Sequence, residues 1–383
     1  MCSLRHIFGQ GKKRLGLLVG AGAPAGMPSP DGSGPLIPAV NELTNRVLQV
    51  LEKSHGQTIN SVKLELEYPN IENILTRVRS LAGVIGDMQI HGLNGQGFHD
   101  LSNAICSEIG KVVNQNLPDG PSPYSDIVNW IAGTDRDHAV EIFTTNYDIL
   151  FEQALERAKV PFFDGFSGSS RPFFDPSSIA SNDLPSRWVR VWKMHGSIGW
   201  ATSEKGEVIR DGHGQSTHCI FPEYLKYDRT QKAPYAALFD RLRSFLMTPD
   251  TLLIATGFSF GDAHVSACID ECLAANPSTS VFAFQFKKLA EEAHACEIAS
   301  RRANMSVYSP DRAIINAVEA DWVPGDPPTR DWMPIRASYW GNTSNQDSPT
   351  FLLGQFDRLA RFFVSSRSTQ ILPSFFPAHS VSN

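Results

Sequence analysis

Residues 141–156, reading E-I-F-T-T-N-Y-D-I-L-F-E-Q-A-L-E, constrain the fold of this chain more than any other stretch. Ile142, Phe143 and Thr144 make a short apolar run of β-branched and aromatic residues, whereas Ile149, Leu150, Phe151, Ala154 and Leu155 recur at helical spacing. A strand therefore hands over to a helix across Thr145-Asn146-Tyr147-Asp148. In an open parallel sheet, ligands sit beyond the carboxyl ends of the strands, so a Thr-Asn-x-Asp cluster at that turn stands where chemistry is usually done. Asn and Asp are also preferred helix-capping residues, and the turn taken alone leaves both readings open.

Other stretches repeat the strand-to-turn pattern. Residues 15–19 read as a buried first strand, followed by the turn G-A-G-A-P-A-G-M-P over residues 20–28. Such a turn lets the backbone approach a pyrophosphate, although glycine serves any tight turn, and no Gly-Lys-Ser/Thr follows to make a P-loop. Residues 29–37, rich in Pro and Gly, read as a mobile loop over the site. Residues 40–131 are mostly helical, an insertion between the first strand and the Asn146 strand, on which Glu72, Arg77 and Arg79 read as solvated charges. Residues 161–186 read as irregular, with 165–170 a surface loop. R-W-V-R-V-W-K-M then runs as a strand into His195-Gly196-Ser197. After a helix at 235–247, residues 251–256 are the clearest buried strand and deliver G-F-S-F-G-D-A-H, where Asp262 caps a helix over 263–275. A further strand at 280–286 and a helix near 289–302 complete an α/β pattern without internal repeats.

At 383 residues the chain has room for one large α/β domain with an extension, or for two domains. The expected division is a domain over residues 1–310, with the helical insertion at about 40–135, and an extension over 311–383. That tail is rich in proline and aromatic residues, such as Trp322, Trp332, Trp340 and Phe375, which suits packing on the domain, docking a partner, or both. A formal charge of −6 gives no whole-chain attraction to nucleic acid or to an anionic membrane. Six cysteines without a CxxC pair suit a reduced, cytoplasmic setting and argue against a zinc ribbon. His213, His218 and Cys219 have a spacing that fits no standard zinc pattern, and Cys268 with Cys272 reads as a pair of small core residues. Basic residues before the run at 15–19 imitate a secretion signal, but that run is shorter than a signal core, and no other run is long enough to span a bilayer.

The ordered set G-A-G-A-P-A-G-M-P, T-T-N-Y-D, K-M-H-G-S and G-F-S-F-G-D-A-H, over about residues 15–300, resembles the sirtuin family. Within it, the set resembles the bacterial sirtuin-like NAD hydrolases of antiphage defence. The resemblance implies a Rossmann-like, mostly parallel sheet with helices on both faces and NAD+ as substrate. It places the Gly20-Ala21-Gly22 turn at the NAD phosphates, Asn146 and Asp148 at the nicotinamide ribose, His195 as the catalytic histidine, and Gly257 and Ser259 at a second nucleotide-contacting turn. Asn146 and His195 are thereby the catalytic pair, and no metal is implied. Sirtuin deacylases carry a four-cysteine zinc module after the catalytic histidine, whereas here only Cys219 lies between His195 and Gly257, which argues against a peptide-deacylating groove. Pro24 also replaces the serine usual after the glycine turn. Protein deacylation, ADP-ribosyl transfer and a non-catalytic NAD-binding sensor or scaffold are the competing functions. Stand-alone subunits of this length resemble those paired with a HerA-type hexameric ATPase, so a homo-oligomer assembled with such a partner is expected.

Overall fold

The computed structural model describes residues 2–9, 11–203, 207–210, 234–323, 332–341 and 349–366. Helix α1 (Cys2–Gly9) leads into β1 (Arg14–Val19) and the single turn α2 (Gly22–Ala25). Four helices follow: α3 (Val40–Leu64), α4 (Ile71–Val84), α5 (Gly95–Val113) and α6 (Pro123–Ala132). Then come β2 (Val140–Thr144), α7 (Leu150–Arg157), β3 (Phe162–Phe163), β4 (Phe166–Ser167), β5 (Phe173–Phe174), α8 (Pro176–Ala180), β6 (Val189–Lys193), β7 (Trp200–Thr202) and β8 (Val208–Arg210). The chain continues through α9 (Tyr235–Met247), β9 (Thr251–Thr256), α10 (Ala263–Ala275), β10 (Ser280–Phe284), a 3₁₀ turn (Leu289–Glu291), α11 (Ala293–Arg301), β11 (Met305–Tyr308) and the hairpin β12 (Arg312–Ile315) and β13 (Val318–Asp321). Last are α12 (Trp332–Tyr339), β14 (Trp340–Gly341), β15 (Thr350–Phe351) and α13 (Phe356–Ser366).

Nine strands form one sheet in the order β13-β12-β11-β10-β9-β1-β2-β6-β3, parallel from β11 to β3 and antiparallel at the β12–β13 edge. From β1 the chain first builds outward through β2 and β6, then returns to place β9, β10 and β11 on the other side of β1. The reversal creates a topological switch point between β1 and β9, where open α/β sheets bind their ligands.

Side chains two apart on these strands enter the same core. Leu15, Leu17 and Val19 of β1, Val140 and Ile142 of β2, and Leu252 and Ile254 of β9 meet α1, α3 to α7 and α13 on one face. Leu18, Phe143, Leu253 and Ala255 meet α9, α10 and α11 on the other. This period of two, with both faces covered, explains why the central strands read as unbroken apolar runs. Gly16 leaves the space that the Phe245 ring of α9 fills, since a Cβ there would stand 2.6 Å from that ring.

The helical segment between β1 and β2 and the C-terminal helix α13 share a face. Phe8 packs edge-on to Phe362 and Phe363, and Trp130 stacks on Phe363 with ring centroids 4.4 Å apart. Trp322 and Phe351 continue a stack on Tyr308 and Phe284 at the sheet, so the described part of the tail packs on the sheet and helices. Trp332 lacks a described side chain, and Phe375 lies outside the described residues. Residues 166–167, read as surface loop, instead form β4 of a second sheet, β4-β5-β8-β7, because Phe166 is buried against Phe174 and Trp200. The segment 29–37 is anchored at its ends. Pro28 and Pro35 bridge, and Leu36 and Ile37 enter the core.

Candidate active site at the carboxyl ends of β1, β2, β6 and β9

Four turns meet at one edge of the sheet and bond to one another. Thr144, last in β2, donates its hydroxyl to the Val19 carbonyl at 2.8 Å and accepts the Asn146 backbone N–H at 3.1 Å, which turns the chain out of the strand. Asn146 is buried, and its Nδ2 donates to the Gly20 carbonyl at 3.1 Å. That bond orients the amide and leaves its oxygen as the remaining acceptor. Met194 N–H reaches the Thr144 carbonyl at 2.8 Å and Ile198 N–H the Tyr147 carbonyl at 3.0 Å, which docks the His-Gly-Ser turn against the Asn-Tyr-Asp turn. Gly196 has φ +89°, the left-handed geometry that glycine adopts readily, so the chain reverses directly after His195.

The two glycine turns press on each other. Gly20 N–H donates to the Thr256 carbonyl and Gly22 N–H to the Gly257 carbonyl, at 3.1 and 2.9 Å. A Cβ on Gly20 would lie 2.4 Å from the Gly257 oxygen, and one on Gly257 would lie 2.5 Å from the Ala23 nitrogen. Mutual packing thus accounts for these glycines before any ligand is considered. Gly257 also has φ +61°. Gly257→Ala is expected to cost about 1–3 kcal/mol, because the atoms a Cβ would meet belong to the backbone of Gly20, Gly22 and Ala23 and cannot swing aside; chemical denaturation measures it. Ala21 is half-buried, and Ser259 is exposed at the tip of its turn, with Oγ 3.4 Å from the Gly261 N–H that donates to it. Next to Ser259, buried Phe260 sits at φ +57°, an uncommon geometry for an aromatic residue, held by the Ser266 hydroxyl donating to its carbonyl at 2.8 Å.

His195 is buried, with Nε2 2.8 Å from Asp262 Oδ2. Asp262 also accepts the N–H groups of His264 and Val265 through Oδ1, each at 2.9 Å, so a single carboxylate caps α10 and holds the imidazole. Burial opposes the charged ring, but the hydrogen bond and charge of Asp262, with the charge of Glu72, outweigh it and raise the His195 pKa above its ordinary value. Burial likewise opposes the Asp262 carboxylate, and the imidazole hydrogen bond and charge more than offset it, lowering its pKa. His195 Nδ1 is buried and unpaired among the described residues.

Asp148 lies beneath this edge, 4% exposed, with Oδ1 accepting the Leu150 N–H at 3.1 Å where α7 begins and Oδ2 unpaired among the described residues. Lys193, 2% exposed, donates to the Asp148 carbonyl and stands 3.6 Å from Glu152. Burial raises both carboxyl groups, and the Lys193 charge opposes it only in part. The Asp148 carboxylate therefore combines local capping with a place in a buried charge cluster.

Two partners of the site were not visible in the sequence. The second Asp262 oxygen is one. Glu72 is the other: read as a solvated charge, it is half-buried and accepts the Tyr147 hydroxyl at 3.0 Å, which ties α4 to the turn that carries Asn146. Helical spacing marks a polar face but not the neighbour across it. Tyr147→Phe is expected to destabilise the fold by about 0.5–1.5 kcal/mol, the net value of one such bond, as read from urea unfolding.

Among the described residues no group of three or more His, Cys, Asp and Glu side chains stands where it could hold a metal ion, and no helix is long and apolar enough to cross a membrane. His213, His218 and Cys219 lie outside the described residues. Cys268 and Cys272 both lie on the buried face of α10, in the core.

No curated protein matches the chain. A solved structure described as "Structural Basis for the Mechanism and Regulation of Sir2 Enzymes" is similar at 14% identity and a TM-score of 0.32, covering 73% of this chain and 84% of that one. Residues 140–307 match the family described as SIR2-like domain, from the start of β2 into β11. Over that span, which holds Asn146, His195, Gly257 and Asp262, the chain is similar to a SIR2-like domain.

Proposed function

We propose that the chain is an NAD+ hydrolase that cleaves the nicotinamide N-glycosidic bond to give nicotinamide and ADP-ribose. The observation that carries the reading is the meeting of the Asn146 and His195 turns with two glycine turns at the switch point of the sheet. Cleavage builds positive charge on the ribose while neutral nicotinamide departs, so the site must hold the sugar and a water and must accept a proton. Asn146 has an oriented amide oxygen for a ribose hydroxyl or the water. His195 is the acid–base group, its pKa raised because the hydrogen bond and charge of Asp262, with the charge of Glu72, outweigh burial. Gly20, Ala21, Gly22, Gly257 and Ser259 are assigned to the dinucleotide, with Asp148 supporting the ribose side from below.

The resemblance to antiphage NAD hydrolases extends the proposal to a triggered, NAD-depleting effector of the cytoplasm, since a constantly active form would deplete its host of an essential cofactor. A homo-oligomer assembled with a HerA-type ATPase is the proposed setting. The test is full-length protein incubated with NAD+, alone and with the product of its co-encoded neighbour, with nicotinamide and ADP-ribose quantified and oligomer size measured. Stoichiometric turnover of an acetyl-lysine peptide would replace hydrolysis by deacylation. Labelling of a protein acceptor would replace it by ADP-ribosyl transfer. Tight NAD+ binding without turnover in every assembly state would make the chain a sensor or scaffold. A monomer with and without the neighbour would remove the assembly.

A further inference from the structure

We infer that His195 works through Nδ1, and that Asp262 is the positioning residue that fixes this by accepting the hydrogen on Nε2. The inference rests on the proposed acid–base role of His195 and names the atom that performs it.

A carboxylate only accepts hydrogen bonds, so the nitrogen 2.8 Å from Asp262 Oδ2 must carry the proton, and in the neutral ring the lone pair is then on Nδ1. The carboxylate is not free to turn away. Its other oxygen holds two amide hydrogens of α10, a helix of 13 residues, and the first turn of a helix favours negative charge. Asp262 thus takes its orientation from the start of α10 and passes it to a side chain 67 residues earlier, at the end of a strand on the other side of β1.

The remaining nitrogen marks the working end. Nδ1 is buried and meets no donor or acceptor among the described residues. Leaving a buried polar atom unpaired is costly, so a histidine kept only for structure would be poorly served by this arrangement. A partner brought by substrate removes that cost. In the hydrolysis, the water oxygen forms the new bond to ribose C1′, the C1′–N bonding pair leaves with nicotinamide, and the water proton passes to Nδ1. Nε2–H stays on Asp262 throughout. The charged groups that act on the ring are Asp262 and, from α4, Glu72; His264 acts on Asp262 from the same helix start.

The experiment is long-range ¹H–¹⁵N NMR on full-length protein labelled at histidine, with His195→Gln to assign the signal and Asp262→Asn as the probe. Asparagine keeps an oxygen to cap α10 and removes the charge. The neutral wild-type ring is expected as the Nε2–H form with a protonation midpoint above the ordinary histidine value, and Asp262→Asn is expected to lower that midpoint. With NAD+, Asp262→Asn is expected to reduce kcat by about tenfold or more, to move the acidic limb of the pH profile downward and to leave KM within about twofold. An Nδ1–H form in the wild type, or a midpoint and acidic limb unmoved in Asp262→Asn, would overturn the inference. The tautomer is read without NAD+, so an inactive protein counts against the proposed function while the NMR still decides the geometry.

Discussion

Replacing His195 by alanine is expected to slow nicotinamide release by about 10²–10⁴-fold, the usual contribution of a positioned acid–base group. KM for NAD+ should change far less, because the imidazole is assigned to the reacting water and not to holding the dinucleotide. The same residue sets a pH dependence. As a base, His195 must be neutral, and Asp262 and Glu72 raise its pKa, so the acidic limb of activity should lie above the ordinary histidine value near 6.5. Stability moves in the opposite sense. A group whose folded pKa is raised contributes fully below its unfolded pKa, and that contribution fades as pH rises through the folded value. Removing Asp262 should therefore cost most stability in mildly acidic solution and least at alkaline pH.

Glu141→Ala is expected to destabilise the fold by about 3–5 kcal/mol, the range for removing one partner of a buried ion pair. Glu141 opens the stretch that announces the fold, yet it is 2% exposed. Its carboxylate accepts the Trp192 indole N–H at 2.7 Å, Arg241 Nε at 2.7 Å and Arg190 Nη1 at 3.3 Å, and Arg241 Nη2 as well. Both arginines are buried, and removing the acid leaves two guanidinium groups without its charge and takes an acceptor from the indole, although Arg190 Nη1 still donates to Asn182 Oδ1 at 3.2 Å. Glu141→Gln keeps a hydrogen-bond acceptor and should cost less. Equilibrium denaturation measures both, and a loss below about 1 kcal/mol for Glu141→Ala would show that the two arginines find other partners or water.

This triad also shows where the sequence stops being legible. The strands at β1, β2, β9 and β10 and the helices α9 and α10 were readable because apolar runs between turn residues, and apolar residues at helical spacing, report burial directly. Arg190 and Lys193 in R-W-V-R-V-W-K-M suggest a strand with a polar face, but every residue of β6 is buried. The partners that make this possible, Glu141, Asp148 and Glu152, come from β2, its turn and α7, and no local pattern pairs them. The candidate site divides in the same way. Its four turns were visible as strand ends followed by Gly, Asn, Asp or His. The bond from Asn146 to Gly20, the second oxygen of Asp262 and the reach of Glu72 to Tyr147 join residues 67 or more positions apart along the chain, and only the sheet order brings them together. The small β4-β5-β8-β7 sheet was missed because its strands are two or three residues long, too short for periodicity to show.

The most direct measurement is an experimental structure of Asn146→Ala, slowed in turnover, with NAD+ bound. The nicotinamide ribose is expected beneath the β2 and β6 turns, with C1′ facing both position 146 and His195 Nδ1 and the pyrophosphate along the two glycine turns. A dinucleotide bound away from His195, or one whose ribose turns its back on that ring, would contradict it.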